Sequence, residues 1–132
     1  MPFDWREYVG LAERLQDMQP RDNLSKECLL RAALGRAYFG AFCYARDQAE
    51  AHLGFAPQSK GTDHVGLREH LKGKCLATTA QRLEVLNEYR NNADYVGRIT
   101  QIDLKIENDL KVYAGHSLIL ARRVIKDLQK FY

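Results

Sequence analysis

The sequence predicts an all-α fold, an antiparallel bundle of four to five helices. Apolar residues recur at helical spacing over several long stretches. The chain has only three prolines and nine glycines, which leaves little room for a turn-rich β fold. In the second stretch, a small residue stands at every fourth position, so that the backbone of a neighbouring helix can approach closely. These residues are Ala33, Ala37, Ala41, Ala45 and Ala49.

Helix 1 is predicted over about 3–18, and Pro20 ends it. Helix 2 is predicted over about 24–53. It is apolar nearly all round between Ala37 and Ala45, which indicates a central, buried element. A second apolar row beside the alanines consists of Leu34, Tyr38 and Phe42, widened by Phe39 and Cys43.

The longest loop follows, marked by Gly54, Pro57 and Gly61. A short helix is predicted over about 63–71. Helix 4 is expected to open with a capping box from Thr78 to Gln81 and to continue to about residue 96, before a glycine. Helix 5 is expected to start near residue 100 and to run almost to the end. No repeat or linker interrupts the pattern, so residues 1–132 are expected to form a single domain.

The charge balance is mildly basic, with a net charge of +3 and a pI near 8.8, which is compatible with nucleic-acid binding and does not require it. The basic residues form two groups along the sequence. The first is Lys60, Arg68, Lys72 and Lys74; the second is Arg122, Arg123, Lys126 and Lys130. The second group has a structural explanation, because cations at a helix C-terminus complement the helix dipole. The first group has no such explanation.

Cys28, Cys43 and Cys75 include no Cys-x-x-Cys pair, which predicts buried thiols in a reducing compartment and no disulfide framework. No apolar run approaches the ~18 residues that span a bilayer, and the N-terminal residues contain no signal-peptide core. We therefore expect a cytoplasmic protein without a membrane segment. Neither a metal nor a cofactor is expected, because no histidine pair has metal-ligand spacing and no glycine-rich loop follows a strand.

Polar side chains crowd one side of helix 4 near its end. At about 100° per residue, Asn87, Arg90, Asn91 and Asp94 fall within one quadrant. Arg90 also borders the apolar stripe of this helix, where an unpaired cation would be costly to bury. It must therefore meet an acidic partner, another subunit or a phosphate. The alternative is an intrahelical Arg90–Asp94 pair, worth roughly 0.2–0.5 kcal/mol.

Three segments, in order, resemble small HEPN proteins. Residues 30–42 read LRAALGRAYFGAF and look like the SRAYYAAF helix of that group. Residues 90–95 read RNNADY and are similar to its RxxADY element. Between them, His64-Val65-Gly66 resembles a His-x-Gly element that often follows the long loop. The similarity spans about residues 24–128.

The resemblance implies a HEPN-like bundle that forms a two-fold homodimer in a bacterial or archaeal toxin–antitoxin or defence system. A small nucleotidyltransferase-fold antitoxin is a frequent partner in that group, and many of its members are RNases that need no metal. RNA or nucleotide phosphate is thus the expected ligand. Helix 2 separately predicts a dimer, because it offers more apolar surface than one bundle can easily cover. We expect Arg90 near the two-fold axis.

The RNase signature of the HEPN group is an arginine, a polar residue that is often Asn, and a histidine after four to six further residues. Arg90 and Asn91 match its first half, but the positions for the histidine hold Tyr95, Val96 and Gly97. Cleavage of RNA without a metal needs a base for the 2′-hydroxyl, an acid for the leaving oxygen and a cation for the negative charge of the transition state. Arg90 can supply the cation. A tyrosine, with an ordinary pKa near 10, is a poor base at neutral pH.

Tyr95 therefore has three interpretations: the acid or base of a cleavage reaction, an acceptor for adenylylation, or a tyrosine at the edge of the core. His64 is the other candidate for proton transfer, and its alternative role is to cap a helix or brace the loop. Phosphate or RNA contacts are assigned to Arg90, Asn87 and Asp94.

Two functional hypotheses follow. In the first, the protein binds RNA or nucleotide phosphate at the dimer cleft through Arg90 and cleaves RNA. In the second, it is a non-catalytic dimeric module that binds a partner nucleotidyltransferase. Arg90 and Asn91 favour the first hypothesis, and the missing histidine favours the second.

Overall fold

A computed structural model describes residues 3–95 and 103–131 of the chain. These residues form five helices and no strand: α1 (Arg6–Asp17), α2 (Lys26–His52), α3 (Asp63–Gly73), α4 (Ala77–Tyr95) and α5 (Asp103–Gln129). The predicted all-α bundle is confirmed for this part of the chain. The predicted end of helix 4 at Val96 and the start of helix 5 near Thr100 lie outside the described residues.

Helix α2 is the central element of the bundle and contacts each of the other four helices. Each alanine of its predicted row is at most 2% exposed. Tyr38, in the adjacent row, is fully buried, and Leu34 and Phe42 are buried as well. The expectation of a central, buried second helix is therefore confirmed.

Two pairs of consecutive helices run antiparallel: α1 with α2, and α4 with α5. Lys26, at the start of α2, donates to the backbone oxygens of Gln16 and Met18 at the end of α1. In the same way, the Thr79 hydroxyl near the start of α4 donates to Asp127 near the end of α5, over 2.8 Å. The same carboxylate accepts from Arg82, so that one buried threonine and one ion pair join these two helices.

Three sequence-based expectations are corrected by the structure. Helix α4 begins at Ala77, so Thr78 lies in its first turn and is not the residue that caps it. Of the three cysteines, Cys43 alone is buried, whereas Cys28 and Cys75 are exposed free thiols. Separately from these corrections, the described helices include none that is long and apolar enough to cross a membrane.

The third correction concerns the argument for a dimer from helix 2. Its alanine row and its aromatic row are both covered within one chain, because α2 lies at the centre of its own bundle. An uncovered face of helix 2 therefore provides no reason for association. The large apolar side chains exposed in the described residues lie elsewhere: Phe3, Leu11, Leu24, Val65, Val112, Tyr113 and Ile119.

Helix α1 packs tightly against α2 at Gly40. A Cβ atom added there would lie 2.8 Å from Val9 Cγ2 and 3.1 Å from the backbone oxygen of Trp5. The indole nitrogen of Trp5 also donates to Asp47 Oδ2, over 3.0 Å, and so fixes the start of α1 against the later part of α2. Glycine at position 40 is what allows this spacing.

We expect Gly40→Ala to lower the free energy of unfolding by roughly 1–3 kcal/mol, because the added methyl group must push α1 away from α2. Urea unfolding measures the effect. Gly10→Ala is the matched control, since a Cβ at that exposed position of α1 would meet nothing within 4 Å. It should raise the free energy of unfolding by up to about 1 kcal/mol. Equal effects of the two substitutions would contradict the proposed close packing.

Candidate functional site

Arg90 lies on the side of α4 that faces α2. A Cβ atom added at Gly35, on α2, would lie 4.0 Å from Arg90 Cγ and 4.0 Å from Asp94 Oδ1. The Arg90 side chain is only 13% exposed, as its position at the border of the apolar stripe predicted. Its guanidinium carbon lies 5.3 Å from the ring centre of Tyr38 and 5.1 Å from that of Phe39. Both rings come from α2, so α2 supplies the floor on which Arg90 rests.

Arg90 has two polar neighbours on its own helix. Its Nη2 donates to Asn87 Oδ1 over 3.0 Å, and its Nη1 lies 3.7 Å from Asp94 Oδ2. The intrahelical Arg90–Asp94 pair is thus present, but it is long, and the Asp94 side chain is 41% exposed. Such a pair contributes little. It does not account for the burial of the guanidinium against two aromatic rings.

A second interaction lies beside Arg90 and joins α2 to α3. The hydroxyl of the fully buried Tyr38 is hydrogen-bonded to Nδ1 of His64. The His64 ring stacks on Phe42, with ring centres 4.2 Å apart and an angle of 15° between the planes. Tyr38 therefore contacts both His64, through its hydroxyl, and Arg90, through its ring.

The start of α3 is held in place by Asp63, which precedes His64. Its carboxylate accepts from the backbone N–H groups of Gln58 and Lys60, over 2.9 and 3.4 Å. The Gln58 hydrogen bond is the main cause that lowers the pKa of this carboxyl. Asp63 therefore braces the loop, which is the alternative role that the sequence suggests for His64. The ring of His64 is instead directed to α2.

Burial and charge keep the Tyr38–His64 pair neutral. Burial is the largest cause that lowers the pKa of His64 below its usual value, and the positive charges of Arg90 and Arg68 lower it further, against an opposing effect of Asp63. Burial also raises the pKa of Tyr38, although both arginines oppose that shift. At neutral pH, an uncharged imidazole and an uncharged phenol thus lie next to two guanidinium groups.

Arg68, on α3, is the second cation of this site. Its Nη1 and the Nε of Arg90 are buried atoms without a hydrogen-bond partner among the described residues. Buried N–H groups are paired in most proteins, so each exception needs an explanation. We refer to Tyr38, His64, Arg68 and Arg90 as the Arg90 cluster. The remaining members of the first basic group, Lys60, Lys72 and Lys74, are exposed.

The other predicted site residues have different positions. Asn87 supports Arg90 through its side-chain oxygen, and Asp94 is its distant ion-pair partner. Asn91 is exposed on α4 and lies outside the Arg90 cluster. Tyr95 is the last described residue of α4, but its side chain lies outside the described part of the structure, as do Val96 and Gly97.

Two residues of the Arg90 cluster were missed as site residues at the sequence level. Tyr38 was assigned to the core, although a buried tyrosine must find a partner for its hydroxyl. That requirement was the available signal. Arg68 was noted only as part of a basic group. Arg68 is more buried than the three lysines because of the face of α3 that packs against the bundle. The sequence does not reveal which face that is.

Two of the cavities in the described part of the structure have charged residues that the sequence analysis did not assign, or assigned to a helix end, and both lie away from the Arg90 cluster. One, of about 260 Å³, lies between α2, α4 and α5 and is lined mainly by apolar surface together with Arg31. The other, of about 530 Å³, lies between the start of α4 and the end of α5. Arg82, Arg123, Lys126 and Lys130 line it, so that much of the second basic group surrounds one surface depression. Within residues 3–95 and 103–131, no three His, Cys, Asp or Glu side chains are grouped as metal ligands.

A scan against protein-family models found no match, and searches of curated proteins and of solved structures found none either. The resemblance to HEPN proteins therefore rests on the three sequence elements described above.

The charge environment of His64 leads to a prediction. We expect Arg90→Gln to raise the pKa of His64, because the positive charge of Arg90 disfavours the imidazolium ion. NMR titration of the imidazole signals measures this pKa in both proteins, and in the parent it should lie below the usual 6.5. Arg122→Gln, which removes an exposed cation paired with Glu13, is the control and should leave the titration unchanged. A downward shift in Arg90→Gln would contradict the described arrangement.

Proposed function

We propose that the protein binds the phosphate of RNA or of a nucleotide at the Arg90 cluster, as a HEPN-type component of a prokaryotic toxin–antitoxin or defence system. One observation carries this proposal. Arg90 and Arg68, from two different helices, each bury a guanidinium nitrogen that has no hydrogen-bond partner among the described residues, and the positive charges of both lower the pKa of His64.

A phosphate would complete the hydrogen bonding of these groups. An unpaired buried donor costs about 1–3 kcal/mol, and more when it is charged. Among the described residues, the carboxylate paired with Arg90 is that of Asp94, at 3.7 Å, and it is too exposed to compensate fully. A guanidinium group matches the oxygens of a phosphate, and two guanidinium groups from separate helices can bind different oxygens of the same group.

The sequence resemblance supports the same site. Tyr38 comes from the SRAYYAAF-like segment, His64 from the His-x-Gly-like segment and Arg90 from the RxxADY-like segment. These segments are far apart in the chain, yet each contributes one residue to a single set of contacts. A shared binding site would explain why the three elements occur together.

A second candidate is a non-catalytic dimeric module that binds a nucleotidyltransferase-fold antitoxin. It is favoured by the residues at the expected histidine positions, which are Tyr95, Val96 and Gly97. In this case, the Arg90 cluster would bind a phosphate without breaking a bond. A neighbouring reading frame that encodes a nucleotidyltransferase-fold protein would favour this candidate.

Arg90→Gln tests the phosphate proposal. We expect the variant to bind a fluorescent single-stranded RNA or a nucleoside triphosphate at least tenfold more weakly than the parent, a loss of about 1.4 kcal/mol. The slope of log affinity against log salt concentration should decrease in magnitude by about one, as expected for the loss of one phosphate contact. Binding titrations at fixed salt measure both effects, and a thermal melt checks the fold. Arg122→Gln is the charge-matched control. Equal affinities of parent and Arg90→Gln would exclude Arg90 as a phosphate contact.

The proposed homodimer, with Arg90 near its axis, requires a separate test. Sedimentation equilibrium at micromolar concentration should show a dimer of the parent. Asn91→Arg should weaken it, because Asn91 is exposed beside Arg90 and two like charges would meet across the axis. Gln81→Arg is the control, since it makes the same change of charge at an exposed position near the other end of α4. A monomeric parent, or equal effects of the two substitutions, would contradict this assembly.

A further inference from the structure

We propose that His64 accepts the proton in RNA cleavage at the Arg90 cluster, and that Tyr38 is its positioning residue. This inference rests on the proposed function, because it requires an RNA phosphate bound at Arg90. It assigns the imidazole to α3, whereas the RNase signature would place a histidine on the same helix as the arginine. The absence of a histidine at Tyr95, Val96 and Gly97 would then not prevent the reaction.

The geometry leaves one nitrogen of His64 available. Nδ1 is hydrogen-bonded to the hydroxyl of Tyr38, so Nε2 is the nitrogen that can exchange a proton with a ligand. Stacking on Phe42 limits rotation of the ring. Tyr38 is fully buried and lies in the centre of α2, so its hydroxyl has a fixed position. For Nε2 to accept a proton, Nδ1 must carry the hydrogen of the neutral ring, so the Tyr38 hydroxyl accepts from Nδ1 in both charge states.

The surroundings suit a base that starts without charge. Tyr38 and Phe42 from α2 contact the His64 ring. The charged groups that act on it are Arg90 from α4, and Asp63 and Arg68 from α3. The two arginines disfavour the imidazolium ion while the site is empty. A bound phosphate neutralises part of their charge, so the imidazole can accept a proton more easily once RNA is present.

The proposed step balances without an oxidant or a further reactant. The 2′-oxygen attacks the adjacent phosphorus while its proton passes to His64 Nε2. The bond from phosphorus to the 5′-oxygen breaks, and that oxygen takes a proton from water. Arg90 and Arg68 bind the phosphoryl oxygens, on which negative charge increases. The products are a 2′,3′-cyclic phosphate and a 5′-hydroxyl, and the imidazolium returns its proton to solvent.

The first measurement needs no variant. A mixed-sequence single-stranded RNA is incubated with the parent in EDTA at a series of pH values, and the cleavage rate is recorded. A general base must be unprotonated, so the rate should fall as pH drops, with a midpoint equal to the His64 pKa measured by NMR on the RNA-bound protein. A matching RNA with 2′-deoxynucleotides should stay intact. A midpoint that differs from the His64 pKa would overturn the inference.

Two variants then separate the roles of the pair. His64→Gln should reduce the cleavage rate by at least about 100-fold, the usual contribution of a general base. Tyr38→Phe should reduce the rate about tenfold and move the midpoint to lower pH, because the imidazolium ion loses its hydrogen-bond acceptor. A merely structural role of Tyr38 would not move the midpoint. His116→Ala is the matched control, since His116 bonds to Tyr89 through Nδ1 but lies exposed outside the Arg90 cluster.

The outcomes distinguish this inference from the proposed function. If the parent binds the uncleavable 2′-deoxy oligonucleotide and Arg90→Gln does not, but RNA stays intact, phosphate binding stands and the role of His64 is overturned. If neither protein binds, both proposals fail. Cleavage that persists in Arg90→Gln or in His64→Gln belongs to a contaminant or to another site, and it would also overturn the inference.

Discussion

The packing of four helices around α2 is the constraint on which the rest of the structure depends. A helix can be surrounded in this way only if its side chains are small where neighbours approach, as at the alanine row and at Gly40. The same burial removes Tyr38 from water, and its hydroxyl must then be satisfied inside the protein. His64 is the group that satisfies it. The helix that holds the bundle together thus also positions the candidate site.

The Arg90 cluster combines two features that bear on ligand binding. Two guanidinium groups retain unpaired buried N–H groups, and the imidazole beside them is held without charge by burial and by those same cations. Each feature alone has a structural explanation, since Arg90 can pack on the rings of Tyr38 and Phe39. Together they describe a site with unused positive charge and a neutral base, which is the environment that a phosphodiester would complete.

Several parts of the fold were predictable because they depend on local spacing. The burial of Ala33 to Ala49 follows from a repeat of four residues, and the restraint of Arg90 follows from its place at the border of the α4 stripe. The prediction that Thr78 caps α4 was wrong, because the helix already begins at Ala77. The prediction that α2 leaves apolar surface for a second copy was also wrong. Helices distant in sequence cover that surface, and the pattern of α2 does not show where they pack.

The sequence by itself determined the helical class, the central position of α2 and the partial burial of Arg90, because each follows from the periodicity of a single segment. The tertiary structure alone decided that Tyr38, 26 residues before His64, bonds to it. It also decided that the charges of Arg68 and Arg90 both act on His64, while the basic neighbours of Arg68 are exposed. The physical reason is that these contacts join three helices. Their relative rotation is set by how all the side chains of the core fit together, and no single segment contains that information.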